Sequence, residues 1–115
     1  MNLLRIGVAL ACHNRREKTR VCLEALHDAA ARVRASAVLQ IVITDDASTD
    51  GTAAMIRECF PSVEIIEGCG QLFWAGGMRL AYGRLLERGL DHYLWLNDDT
   101  VLFPEALETL LSTSR

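Results

Sequence analysis

Residues 39–52 run Leu39-Gln40-Ile41-Val42-Ile43-Thr44 and then Asp45-Asp46-Ala47-Ser48-Thr49-Asp50-Gly51-Thr52. The segment Leu39 to Thr44 is β-branched and apolar on both faces, as a central strand of a parallel sheet must be when helices cover it on two sides. The second segment is built from turn formers and oxygen-bearing side chains. Beyond it Ile56, Cys59 and Phe60 mark one face of a short helix that Pro61 ends. Strand, polar turn and helix in succession make the repeating unit of an α/β fold.

The same unit recurs on either side. Leu3 to Ala11 is a continuous apolar run broken only by Arg5 and Gly7, and Cys22, Leu26, Ala29 and Val33 follow it at helical spacing. Val63 to Ile66 predicts a third strand. Gly76 to Arg88 predicts a third helix, with Met78, Ala81, Tyr82 and Leu85 on one face and Gly89 at the C-terminal cap. Tyr93 to Leu96 is the fourth strand, and Pro104 suits the first turn of a last helix with Leu107, Leu110 and Leu111 inward. The expected fold is α/β, with alternating strand-helix units forming a mainly parallel sheet flanked by helices. No repeat, linker or low-complexity tract divides residues 1–115, which read as one domain.

Composition sets the bounds. The chain has 115 residues, half of them hydrophobic, with 12 Lys and Arg against 15 Asp and Glu and a net charge of −3. That suits one buried core and argues against nucleic acid or an anionic membrane surface, which need a basic patch. No apolar stretch reaches the roughly 18 to 20 residues that span a bilayer. Met1 to Cys12 resembles a signal peptide only superficially, since Arg5 interrupts it and the basic cluster follows it. A cytoplasmic protein is expected. Cys12, Cys22, Cys59 and Cys69 form no C-x-x-C pair and have no His at zinc spacing, so reduced thiols are expected.

In parallel α/β sheets ligands bind beyond the carboxyl ends of the strands. All four predicted strands end in polar or glycine-rich sequence: Cys12-His13-Asn14-Arg15, Asp45 to Gly51, Gly68-Cys69-Gly70, and Asn97-Asp98-Asp99-Thr100. Ser48, Thr49 or Asp50 can cap the following helix. Asp45 closes an apolar strand, and pattern leaves open whether it meets a ligand or is a turn carboxylate. Asp98 and Asp99 repel each other by about 1 to 4 kcal/mol at ~4 Å. A hard divalent cation such as Mg²⁺ would offset that repulsion, and a solvated acidic turn is the other reading. Ala75-Gly76-Gly77 predicts a helix amino terminus open to an anion, without the spacing of a Walker or dinucleotide loop. Phe73 and Trp74 read as core or wall. Neither a His cluster nor a Ser-His elbow is present.

Taken together, these motifs resemble the amino-terminal half of a family 2, GT-A-type glycosyltransferase. Val8 to Arg15 is similar to the family's "TYNR" strand end, Ile41 to Thr52 to its "VVDNGSTDGT" segment, Phe73 to Arg79 to its "FAGGNN" turn, and Leu96 to Thr100 to its acidic "DxD" element. The resemblance implies a nucleotide-sugar donor site made by Ala11, His13, Asn14, Asp45, Gly76, Gly77, Arg79 and Asp98. Asp99, with Asp98, would coordinate Mn²⁺ or Mg²⁺. Cys12-His13, Asp46, Asn97 and Met78-Arg79 depart from the pattern. The donor would be UDP- or dTDP-linked and the acceptor a carbohydrate or lipid-linked hydroxyl. In the family the general base lies after the acidic motif, so no catalytic residue is named here. A donor-binding part of a longer, truncated transferase is expected, with an exposed apolar sheet edge or face able to pair in a homodimer and a place at the inner membrane face through a missing region. A non-catalytic nucleotide-binding or partner-binding module is the alternative. A receiver domain would need an Asp ending strand three, where Glu67-Gly68 stands.

Overall fold

The computed structural model describes residues 3–113. Elements alternate throughout: β1 (Leu4–Cys12), α1 (Arg16–Arg32), β2 (Ala37–Asp45), α2 (Thr52–Cys59), β3 (Glu64–Glu67), α3 (Phe73–Leu86), β4 (His92–Trp95) and α4 (Ala106–Thr113). The strands form one all-parallel sheet in the order β3-β2-β1-β4. β1 and β2 are the inner pair, buried along most of their length, which is why their sequences run apolar without alternation.

The two faces of β1 carry different residues. Ile6, Val8, Leu10 and Cys12 pack under α1, α2 and α4 together with Leu23, Leu26, Ile43, Ile56 and Leu107. Ala9 and Ala11 face α3 with Val42, Met78, Ala81 and Leu85. Truncating a wholly buried Leu10 or Leu26 to Ala costs about 2 to 5 kcal/mol. Small residues on the α3 face bring that helix close to the sheet. A Cβ on Gly7 would stand 2.8 Å from Leu90, and one on Gly77 would stand 2.8 Å from the Cβ of Ala11. The buried Thr44 hydroxyl donates to the Gly77 carbonyl at 2.7 Å and fastens α3 to β2.

Four expectations need correction. α3 begins at Phe73, three residues ahead of Gly76, for a reason that lies in the site described below. α4 begins at Ala106, after Pro104, and buries Leu107 and Leu111 while Leu110 is half exposed, because the helix sits at the margin of the sheet and covers one narrow stripe. Cys59 is exposed; Met55, Ile56 and Phe60 form the buried side of α2. β4 is an edge strand of four residues with Trp95 47% exposed, so the expected exposed apolar edge is present among the described residues. Gly89 does close the turn after α3, in the left-handed conformation (φ 60°) that glycine tolerates. Among the described residues no helix is long and apolar enough to cross a membrane.

Candidate functional site

The pairing register sets the site. Cys12, Asp45 and Glu67 end their strands level with one another, whereas β4 ends at Trp95 opposite Ala9. Leu96 continues alongside β1, its N–H donating to the Ala9 carbonyl at 3.0 Å, and the next residues climb to the same rim. There a cleft of about 430 Å³ opens, lined by Ala11, Cys12, His13, Arg15, Asp46, Gly70, Phe73, Trp74, Asn97, Asp98 and Asp99. Its size is that of a small-molecule site.

The first two loops are laced together. The Asn14 N–H donates to Ser48 Oγ at 2.9 Å, and Asn14 Oδ1 accepts the Thr49 N–H at 2.7 Å. Asp50 accepts the Arg16 N–H at 3.0 Å and the Thr52 N–H at 3.1 Å, so one carboxylate meets the amino ends of α1 and α2. The hydroxyl of Thr52 and these backbone donors hold its carboxyl below the usual range. The expected cap is thus Asp50, one residue before Gly51.

Asp45 and Asp46 are both buried and both engaged. Asp45 Oδ1 accepts the Ser48 N–H at 3.3 Å and the Ser48 hydroxyl, and the Cys12 thiol lies 3.8 Å away. It is a turn carboxylate and does not line the cleft. Asp46 accepts the N–H groups of Gly70 at 2.7 Å, Leu72 at 3.0 Å and Phe73 at 3.1 Å. Its carboxylate therefore occupies the anion position at the amino end of α3. This starts the helix at Phe73 and corrects the expectation that Gly76 and Gly77 open it. The Gly76 N–H is bonded to the Leu72 carbonyl, and Gly77 serves the close approach to Ala11. Arg79 is exposed on α3, away from the cleft lining. Asn14 is likewise turned to the neighbouring loop.

Of the expected donor residues, Ala11, His13, Asp98 and Asp99 come together in the cleft. His13 Nδ1 lies 2.6 Å from the Asp46 carbonyl, which can only accept, so Nδ1 carries a proton, and Asn14 Nδ2 stands 3.4 Å from Nε2. Asp98 is nearly buried. Burial pushes its carboxyl up, Arg15 pulls it down and Asp99 pushes it up again. The Cys22 thiol donates to the Asn97 carbonyl at 3.6 Å and braces the acidic loop from α1; burial, with Asp98 and Asp99 behind it, pushes this thiol up to about 11. Burial likewise raises the Cys12 thiol, with Asp45 and Asp98 adding to it.

Sequence reasoning missed Arg15, whose Nη1 stands 3.8 Å from Asp98 and 3.5 Å from Asp99. Its place at a strand end beside an acidic strand end was the available signal. Trp74 forms a wall, as expected, and leans on Trp95 at 6.1 Å between ring centres. Asn14, Ala47 and Phe73 are the non-glycine residues with left-handed backbone among those described, at φ 50°, 58° and 57°, and all three border the cleft loops. For Ala47 and Phe73 that conformation is strained, and the Asp46 carboxylate is what holds Phe73 in it.

Among the described residues no group of three or more His, Cys, Asp or Glu side chains converges as a metal cage. Asp98 and Asp99 supply hard oxygen donors at a cleft mouth, which fits a cation that completes its shell with substrate oxygens. The residues present thus fit such a cation.

Known structures share this fold. The structure of S. aureus TarS residues 1–349 in complex with UDP-GlcNAc superposes with a TM-score of 0.72 at 14% identity, covering 95% of this chain and 30% of that one. A mannosyltransferase from Pyrobaculum calidifontis, in complex with GDP-Man and Mn²⁺, gives 0.70 at 19% identity, covering 96% and 32%. The chain thus spans about a third of the length of these structures. No curated protein gives a significant match. The sequence profile described as Glycosyl transferase family 2 matches residues 8–114, from the apolar run of β1 through all four strand ends into α4. With the α/β sheet and its neighbours in agreement, this chain belongs to glycosyl transferase family 2.

Proposed function

We propose that this chain forms the donor-binding part of a glycosyltransferase that moves a hexosyl or deoxyhexosyl unit from a nucleoside diphosphate to an acceptor hydroxyl on a carbohydrate or lipid-linked chain. The observation that carries this reading is the pair Asp98 and Asp99 at the rim of a nucleotide-sized cleft, facing inward with a single guanidinium as partner. UDP- and dTDP-linked sugars are the donors proposed. The UDP-GlcNAc and GDP-Man complexes of the two neighbours support a nucleotide sugar.

His13 lines the cleft where the nucleobase would enter, and Trp74 and Phe73 wall it. Asp98 and Asp99 would hold Mn²⁺ or Mg²⁺, which supplies charge neutralisation for the departing diphosphate. Asp45, Asn14, Gly76, Gly77 and Arg79 stand outside the lining: the first two fix the loops, the glycines fix the height of α3, and Arg79 is proposed to reach the donor from the exposed side of α3. The general base and the acceptor pocket are assigned outside these residues, as is any attachment to the inner face of a membrane from the cytoplasm. A homodimer through the exposed side of β4 belongs to the same proposal and is read by sedimentation.

The test is calorimetric titration with UDP, dTDP and GDP, each with and without Mn²⁺, on the natural chain and on Asp99→Asn. Binding that needs Mn²⁺ and is lost in the variant is expected. Metal-independent binding, or binding unchanged by Asp99→Asn, would overturn the acidic pair as the metal site. Sugar transfer by the chain alone would overturn the assignment of the base elsewhere.

A further inference from the structure

We propose that Arg15 is the resident counter-cation of the acidic pair, and that it passes from Asp98 and Asp99 to the donor diphosphate when a divalent cation enters. This rests on the reading of Asp98 and Asp99 as the metal site. Among the described residues that line the cleft, Arg15 is the one Lys or Arg. Its backbone is fixed: it stands at the N-cap of α1, its carbonyl accepts the Thr19 N–H at 2.8 Å, and its neighbours Asn14 and Arg16 are tied to Ser48, Thr49 and Asp50. Its side chain is not. The side chain is 44% exposed, and one nitrogen stands 3.5 Å from Asp99, at the outer limit of hydrogen bonding, and 3.8 Å from Asp98, beyond it.

A guanidinium suits planar oxygen pairs through two parallel N–H bonds, and here it makes none. The contact is therefore one of charge, loosely held on a long stem with a rigid root. A divalent cation held by Asp98 and Asp99 would repel the guanidinium and would supply the neutralisation that Arg15 gives them here. The nearest oxygens then able to accept its N–H groups in the cleft are those of a phosphate, and Arg–phosphate pairs are frequently bidentate. Cation and nucleotide accordingly bind interdependently: the cation alone must displace Arg15, while the nucleotide gives Arg15 a new partner.

The experiment measures free Mn²⁺ by electron paramagnetic resonance during titration of the natural chain, Arg15→Gln, Lys18→Gln and Asp99→Asn, without nucleotide and then with UDP. Lys18 also draws on Asp98 through space but lines no part of the cleft. Arg15→Gln is expected to bind Mn²⁺ alone about 3- to 10-fold more tightly, and to bind UDP at saturating Mn²⁺ about 10-fold more weakly. Lys18→Gln stays within about 2-fold on both. Arg15→Lys, which keeps the charge and loses the fork, keeps the natural affinity for Mn²⁺ alone and shares the loss for UDP. Unchanged or weakened Mn²⁺ affinity in Arg15→Gln overturns the proposal, as does an equal gain in Lys18→Gln, which would reduce the effect to general field. If Asp99→Asn abolishes Mn²⁺ binding while Arg15→Gln leaves it unmoved, the metal site stands and only the role of Arg15 falls. If Asp99→Asn retains Mn²⁺, both fall.

Discussion

Two adjacent aspartate pairs close two parallel strands of this sheet, and they do opposite work. Asp45 and Asp46, after β2, are surrounded by donors: a turn N–H and hydroxyl for the first, three backbone N–H groups for the second. Asp98 and Asp99, after β4, meet one loosely placed guanidinium and a cleft. A carboxylate whose acceptors are filled by backbone is part of the scaffold, whereas one left facing a cavity with its charge half compensated is available for a ligand. Residue type is the same in both, and both pairs follow an apolar strand; the donors that the rest of the chain brings decide the role.

Exchanging carboxylates for neutral groups tests this contrast directly. The largest effect expected is on stability, from Asp46→Ala, which strips three donors of their acceptor and frees the start of α3: about 3 kcal/mol by urea denaturation, with nucleotide binding lost only in proportion to unfolding. Asp99→Asn should do the reverse, cutting Mn²⁺-dependent UDP affinity by about 30-fold, or about 2 kcal/mol, while moving the urea midpoint little. A destabilised Asp99→Asn chain, or a stable Asp46→Ala chain, would erase the distinction between the pairs. Asp50→Ala removes the acceptor shared by two helices and should cost about 1 kcal/mol.

The smallest effect is one of pH. Asp50 has its carboxyl held below the ordinary value of 3.8, so its contribution is fully present above that value and is lost as pH falls through the lowered one. Asp50→Asn should flatten that acid limb of the stability curve by about half a kcal/mol, since the group is exposed and solvent screens it. A curve unchanged below pH 4 would mean that the bonds to Arg16 and Thr52 are not made in solution.

Most of the fold could be read from local pattern, because β1 and β2 are buried on both faces and show it as unbroken apolar runs. The start of α3 could not. Its cap is a carboxylate 27 residues away from Phe73, and Phe73 itself takes a left-handed backbone that no local rule assigns to a bulky residue. Leu110 failed for a different reason: an apolar residue at helical spacing is buried only where the helix has a neighbour on that side, and α4 lies at the margin. That Asp98, Asp99, His13 and Ala11 would meet in one cleft could be read in advance, because strand ends in a parallel sheet converge on one edge. That Asp45 and Asn14 would turn to neighbouring loops could not, since a motif reads alike whether its oxygens face backbone donors or a cleft. Arg15 lay in plain sight, but its partners are 83 and 84 residues further along the chain.

The lacing of the first two loops through Asn14, Ser48, Thr49 and Asp50 also sets when their disorder is lost. Fixing one residue's backbone costs about 1 to 2 kcal/mol of entropy. For this rim that cost is met as the chain folds, by bonds that need no ligand. An arriving nucleotide therefore has little main chain of these two loops left to order. Affinity at such a rim is governed by the contacts made and hardly at all by loop ordering, which is the sense in which the cleft is preorganised.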